Sequence, residues 1–410
     1  MKKHIQGKSF KGYNLTNADF TNADIRGADF TDAVLTNAIF SFTKSGLQKY
    51  KVFLLASFFL NLSAFSGYLL ALSGIPIARS LGYKDINLAT IIAEITTLGC
   101  IVAFLSITLR RGFVLGLGST VLALMPAIIL SVTPIENVKT IGSGFYDGLE
   151  AIPLIATGLA ITAISTSGAA VTLDSFPLAI VGTSTMAIFA ALTMKRNEAV
   201  ATTVIISLAG HYIAWRALAG DKNFAWIHNL AVTFTSIGGT SFRNADLTNA
   251  CFTHATLKST NLEGANLTQT CWHNAKNLDQ ARVSNTILID PVVRDLVVDK
   301  KAKGKSLVRL NLKGANLAGA DLRGVDLTGS DLSDATLERA CLEQAILIGT
   351  NFKGANLTGA DFSYANLKEA DLTEANLQQA CLEWTNLTNA LAVGTNFTQA
   401  KLTGACLGEV

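Results

Sequence analysis

Two cysteines, Cys251 and Cys271, stand twenty residues apart, and each immediately precedes a large aromatic residue, Phe252 and Trp272. In a chain that returned to the same point every twenty residues, the two thiols would meet. They would then form a disulfide or share a soft metal ion. In a reducing compartment they would simply replace polar residues of the same pattern. A second candidate is Glu94, an acid inside an otherwise apolar stretch, with His211 inside another. An ionisable group in such a stretch is costly and faces the interior of a helix bundle. The two residues read either as an ion or proton site or as an interhelical hydrogen bond that orients the bundle. Tyr364 and Trp384 form a third group, again twenty apart, with Glu343 and Glu383 beside them. Aromatic side chains flanked by acids on an exposed face suit contact with a protein partner.

Other chemistry finds no support. The segment GLGST at 116–120 lacks the lysine of a phosphate loop and lies in an apolar run. The five histidines, His4, His211, His228, His254 and His273, are scattered, and no C-x-x-C spacing occurs. No metal, cofactor or catalytic constellation is therefore expected, and the chain reads as a non-enzyme. Imitation of nucleic acid needs a strongly negative rod. Residues 301–410 carry ten basic against twelve acidic side chains, a net charge of −2, so no partner in the nucleic-acid world is expected.

The return every twenty residues comes from a period of five. Between 312 and 407 an apolar residue recurs at every fifth position for twenty repeats, of which sixteen are Leu, three are Phe and one is Ala392. These residues are called centres below. The residue two before the centre is Ala in fourteen of the twenty. A helix would rotate each centre by about 140° and smear the leucines around the cylinder. A flat strand would point successive centres to opposite faces. The chain must instead turn a corner every five residues, always in the same sense, so that four sides make one coil. Coils then stack at the strand spacing of ~4.8 Å. The Asp and Asn residues before the centres belong to the pattern and read as structural. Asn316, Asn356, Asn376 and Asn396, with Thr336 filling the gap, fall on one column, the arrangement of an amide ladder.

The pattern A-(D/N)-L-x-x resembles the pentapeptide-repeat family. The resemblance implies a right-handed quadrilateral β-helix. It also implies that an uncovered last coil pairs with another copy, a homodimer through the C-terminal coils. Shorter blocks of the same repeat occur earlier, with centres Phe10, Leu15, Phe20, Ile25, Phe30, Leu35 and Phe40, and again from Phe242 to Trp272. Phe alternates in both. The intervening domain is thus either an insertion between coils of one solenoid or a divider between two related solenoids.

Residues between the first two blocks read as membrane. The runs 52–78, 112–135, 151–173 and 175–194 hold 27, 24, 23 and 20 residues without a charge, each enough to cross a ~30 Å hydrocarbon core. Runs at 86–109, with Glu94, and 199–215, with His211, bring the count to six. The N-terminal residues have no apolar signal core, so the first span doubles as the targeting signal. Lys44, Lys49, Lys51, Arg110 and Arg111 favour a cytoplasmic N-terminus, and Lys195 and Arg196 run against the rule.

The expected organisation is N-terminal repeats at 1–45, a membrane domain of about six helices at 50–220, and an amphipathic connecting helix at 221–239. Middle repeats at 240–275, a helical and basic linker at 276–306 and C-terminal repeats at 307–410 follow. The fold class is a pentapeptide-repeat β-helix combined with an α-helical transmembrane bundle. The layout resembles the membrane-anchored cyanobacterial type of the family, as in heterocyst glycolipid deposition. That resemblance implies a multi-pass protein of a bacterial plasma or thylakoid membrane with its repeats in the cytoplasm. Its partners are the lipid bilayer and a docked protein. The leading function is a scaffold; the alternative is a six-span transporter or channel with the solenoid as a regulatory or assembly domain.

Overall fold

The computed structural model describes residues 5–81, 136–173, 175–192 and 197–408. The chain divides into two compact units, Met1–Gln48 with Ser236–Val410, and Lys49–Thr235.

In the first unit each repeat makes one side and one corner. The carbonyl of the centre accepts the N–H three residues on, as at Ala28 N to Ile25 O (2.9 Å) and Ala375 N to Leu372 O (2.9 Å). The residue two after the centre has a positive φ, 59° at Asn22 and 60° at Tyr364. A positive φ at the third residue of such a turn is the type II signature. The residue before the centre makes a parallel bridge to its equivalent in the next coil. The bridges form four ladders, one per side. One runs Ser9–Asp29–Ser241–Asn261–Arg282, and another runs Asp19–Ile39–Cys251–Cys271. The N-terminal and middle repeats are therefore one stack, and the Lys49–Thr235 unit is inserted between two of its coils.

The apolar interior passes through that junction without a break. Phe10, Phe30 and Phe242 stack with ring centroids 5.1 and 5.0 Å apart. Phe20, Phe40, Phe252 and Trp272 stack at 4.9, 4.8 and 4.8 Å. These steps match the strand spacing, so the alternation of Phe in the sequence becomes two aromatic columns. One core cluster runs from Ile5 to Ala390. Where the small inward position is Thr or Ser, its hydroxyl donates to a carbonyl of the previous coil, as Thr385 to Phe362 O (2.8 Å) and Thr350 to Leu327 O (3.0 Å). The Asp and Asn carboxamides and carboxylates accept the N–H two residues on, as Asp361 from Ser363 (3.0 Å). Asn396 donates to Asn376 across the coils at 3.0 Å, whereas Asn376 donates to the Thr358 hydroxyl at 3.0 Å instead of to Asn356.

The stretch at 276–306 is shorter as an interruption than the sequence suggests. Arg282 still pairs with Asn261, and Lys301 and Ser306 already pair with Asp321 and Asp326. The basic run after Lys300 is thus a side of a coil, because Ala302 serves as a buried centre while the lysines project outward. In between, Asp290 caps the helix Pro291–Asp299 by accepting from Val292 N (2.8 Å), with Pro291 in its first turn. Leu288, Val293, Leu296 and Val297 fill the shaft there.

The junction depends on two glycines. Gly46 has φ +108°, and a Cβ on it would lie 2.2 Å from Lys258 O. Gly239 would bring a Cβ 2.0 Å from Ser259 O. Thr240 ties the two crossings together, accepting from Gly46 N (2.8 Å) and donating to Ile25 O (2.8 Å).

The second unit is helical. Helix α1 (Lys49–Leu81), α2 (Glu136–Leu173), α3 (Phe176–Leu192) and α4 (Asn197–Leu218) pack on one another. Helix α5 (Ala225–Ser236) follows a single 3-10 turn and buries Ile227, Ala231 and Val232. The runs 86–109 and 112–135 lie outside the described residues. Among the described residues one segment, Leu154–Leu173, is long and apolar enough to cross a membrane.

Gly46→Ala is expected to cost on the order of 3 kcal/mol, because it combines backbone strain with a backbone clash. Gly12 has φ +69° and nothing within 4 Å of its added Cβ, so Gly12→Ala should cost about 1 kcal/mol. Thermal unfolding of the full chain reads the difference. Equal shifts for the two variants would show that the junction is not closed as described.

Candidate functional site

Helices α1–α4 bury several polar side chains. Ser63, Ser66, Thr162, Thr166, Thr183 and His211 are all buried. Glycines permit the close approach: a Cβ on Gly210 would meet Thr162 at 2.8 Å, and one on Gly168 would meet the Phe59 ring at 2.2 Å. Most of the hydroxyls satisfy themselves on carbonyls one turn back in their own helix, as Thr183 on Ala179 O (2.7 Å) and Thr172 on Gly168 O (2.6 Å). Others join the helices. Ser63 donates to Thr183 O (2.7 Å), the Ser66 and Thr162 hydroxyls pair, and Thr166 contacts Thr183 at 3.3 Å.

His211 ends this seam. Its Nε2 lies 2.9 Å from Thr183 Oγ1. Ser184 Oγ lies 3.4 Å from the same nitrogen. The Ser207 backbone also hydrogen-bonds to the ring, while Ser207 Oγ, one turn earlier on the same face, is buried and unpartnered. Glu94, the residue the sequence paired with His211, lies outside the described residues.

Tyr364 and Trp384 occupy successive corners of one column, at φ 60° and 58°. Both are more than half exposed. Glu343 and Glu383 sit one residue before the corners and are half-buried. Trp384 lies down over the next coil, since a Cβ on Gly404 would be 2.7 Å from the indole. A second surface stack escaped the sequence reading: Phe42 and His254 lie 4.9 Å apart at matching corners. Carrying the period of twenty across the inserted unit would have found it.

Cys251 and Cys271 are bridge partners on adjacent coils. Thr253 Oγ1 reaches both sulphurs, at 3.2 and 3.5 Å, and Ser41 Oγ approaches Cys251 Sγ at 3.4 Å. The Cys271 thiol hydrogen-bonds to Cys251, which holds Cys251 well below the usual thiol range, with Ser41 and Thr253 acting in the same direction against burial. The same shared proton, with burial, pushes Cys271 upward. Lys300, at the C-cap of Pro291–Asp299, adds a half-buried ammonium that acts on both sulphurs. It is anchored on Ala318 O (2.8 Å) and Asn316 Oδ1 (3.3 Å), and burial lowers its pKa. Lys300 escaped the sequence reading because the period of five fails just before it. Among the described residues no cluster of three or more His, Cys, Asp or Glu is placed to hold a metal.

A shaft of centres enclosed by four ladders defines a quadrilateral β-helical solenoid. The chain carries pentapeptide repeats, which imply a right-handed coil: the Pentapeptide repeats family model matches in eight copies, at residues 14–44, 233–269, 311–349, 350–389 and 380–410. Among solved structures the chain is similar to a pentapeptide repeat protein of the Arabidopsis thaliana thylakoid lumen, with 37% identity, 21% of this chain and 63% of that chain covered, and a TM-score of 0.19. A pentapeptide repeat protein from the cyanobacterium Cyanothece is 29% identical over 28% of this chain and 91% of its own, at a TM-score of 0.21. HetL from the cyanobacterium Nostoc, involved in heterocyst differentiation regulation, is 27% identical over 41% and 81%, at 0.24. No curated protein sequence matches the chain.

Thr183→Val keeps the volume but removes the nearer partner of His211 Nε2 and leaves only Ser184 Oγ at 3.4 Å, which should cost roughly 1 kcal/mol. Thr185, exposed and bonded only to Val181 O at 2.7 Å, provides the control, and Thr185→Val should change little. Thermal denaturation of the detergent-solubilised chain checks both. A neutral Thr183→Val would rule out the Thr183–His211 bond.

Proposed function

We propose that this chain is a non-enzymatic, membrane-anchored scaffold, in which the helical unit lies in a bacterial plasma or thylakoid bilayer and the β-helix docks a protein partner on the cytoplasmic side. One observation carries the reading: among the described residues, the helical unit exposes large apolar side chains while it buries serines, threonines and a histidine among its apolar interior. Phe53, Leu54, Val181, Ile205 and Leu208 are each at least 60% exposed, while the serines, threonines and His211 are buried. Water opposes that distribution and hydrocarbon favours it. The continuity of the solenoid adds a constraint. A bilayer cannot pass through a stack of paired coils, so both ends of the inserted unit emerge on one face and the number of crossings between them is even. The Tyr364–Trp384 column supplies a contact surface, and its flanking acids suit a partner that presents basic and apolar side chains. A second copy of this chain is one such partner to be distinguished by experiment.

Two measurements test the proposal. The full chain expressed in cells should stay in the membrane pellet through alkaline carbonate extraction; release into the supernatant would end the anchoring part. The double variant Tyr364→Ala with Trp384→Ala should keep its thermal stability and lose the proteins captured by the wild type. Unchanged capture and unchanged sedimentation would remove that face as the docking surface.

The buried hydroxyl seam, with Ser167 Oγ and Ser207 Oγ buried and unpartnered, favours a second reading, transport of an ion or small polar solute through the helical unit. Under the scaffold reading, proteoliposomes holding Glu94→Gln behave as wild type does. A flux present in wild type and abolished by Glu94→Gln would place transport first.

A further inference from the structure

Among the described residues, Cys251 and Cys271 are the one pair of thiols adjacent on a ladder. Cys341 and Cys381 are separated by Asp361, and Cys406 neighbours Asn386. Ladder neighbours lie ~4.8 Å apart, inside the range of about 4.4–6.8 Å that a disulfide spans between Cα atoms. Both residues are partly exposed, so a small molecule has access to the pair. The half-buried Lys300 ammonium acts electrostatically on both sulphurs and bears on the choice between the two chemistries. A fixed positive charge disfavours a soft cation and favours a thiolate, which is the setting of a reactive cysteine.

We propose that Cys251 and Cys271 form a reversible dithiol–disulfide couple oxidised by a small peroxide; Cys251, with two hydroxyls at 3.2 and 3.4 Å against one at 3.5 Å for Cys271, attacks and Cys271 resolves. The Cys251 thiolate attacks the peroxide O–O bond and becomes a sulfenic acid, and the departing hydroxide takes a proton to leave as water. Cys271 sulphur then attacks Cys251 sulphur and displaces the sulfenic oxygen, which leaves as water with the Cys271 proton. Two thiols and one hydrogen peroxide thus give one disulfide and two waters. The Cβ vectors of in-register parallel neighbours run side by side, so closure must draw the coils together. A strained, accessible disulfide of this kind is readily reduced again, which makes the couple a switch and not a permanent staple. Oxidation also removes the anion beside Lys300 and leaves its ammonium with Asn316 Oδ1 and Ala318 O alone.

The test uses the reduced full-length chain in detergent, treated with hydrogen peroxide, blocked with iodoacetamide and read by peptide mass spectrometry. A linked peptide containing Cys251 and Cys271, lighter by two hydrogens and restored by dithiothreitol, is expected. Cys251 should be consumed about tenfold faster than Cys381, which holds the same repeat position without a thiol neighbour. In Cys271→Ser, dimedone should trap a sulfenic acid on Cys251; in Cys251→Ser, Cys271 should remain a thiol. Absence of the linked peptide, equal consumption of Cys251 and Cys381, or oxidation of Cys271 at the wild-type rate in Cys251→Ser would each overturn the assignment.

Discussion

The solenoid depends on one corner, repeated at every fifth residue, in which the centre's carbonyl closes onto the N–H three residues on and the residue before that donor is held at positive φ. The turn fixes the direction of everything else. It aims the centre and the small residue inward, leaves the residue before the centre to bridge the next coil, and throws the corner side chain outward. Left-handed backbone is costly for a bulky residue, yet Tyr364 and Trp384 hold φ 60° and 58°. Two ladders and a filled shaft over-determine each corner, so the side chain has no choice. The indole of Trp384 is accommodated because its neighbour on the next coil is Gly404.

Polar groups are satisfied differently in the two units, and the difference bears on function. Within the shaft, a hydroxyl such as that of Thr385 finds a carbonyl of the previous coil. Within the helices, the hydroxyls bond mostly to their own backbone, which leaves their second lone pairs open and Ser167 Oγ and Ser207 Oγ unpartnered. A scaffold needs only the interhelical bonds of that seam. A transport pathway would need the open acceptors. The seam is thus where the two readings of this protein diverge, and the β-helix serves either.

Much of the solenoid was legible because a period of five admits a single geometry. The centres, the small inward residues, the role of Asp361 and its equivalents, and the stacking of Cys251 on Cys271 all follow from counting. Counting fails where the period fails. Lys300 reaches the thiols only because a helix replaces part of a coil, and nothing in the spacing states that. The basic run beyond it looks like a solvated loop until Ala302 is recognised as a centre, a role that Leu usually fills. The Thr183–His211 bond was hidden for another reason. Helical periodicity shows which face is buried, not which of several serines and threonines meets a given imidazole.

The inserted unit also orders assembly. Asp29 pairs with Ser241 and Lys44 with Thr256, so the coils begun by the first 48 residues stay unfinished until residues beyond 236 are made. Until then they expose an unpaired edge and an uncovered aromatic cross-section at Phe30 and Phe40, the features that invite wrong pairing. Closing a flexible loop of that length carries an entropic cost that grows slowly with size, and a prefolded insert removes most of it by holding its ends together. Gly46, Gly239 and Thr240 meet only if those ends return to within one coil of each other. The bridges from Asp29 to Ser241 and from Lys44 to Thr256 are what join two distant segments of sequence into one solenoid, and an insert that folds before closure lowers the cost of making them.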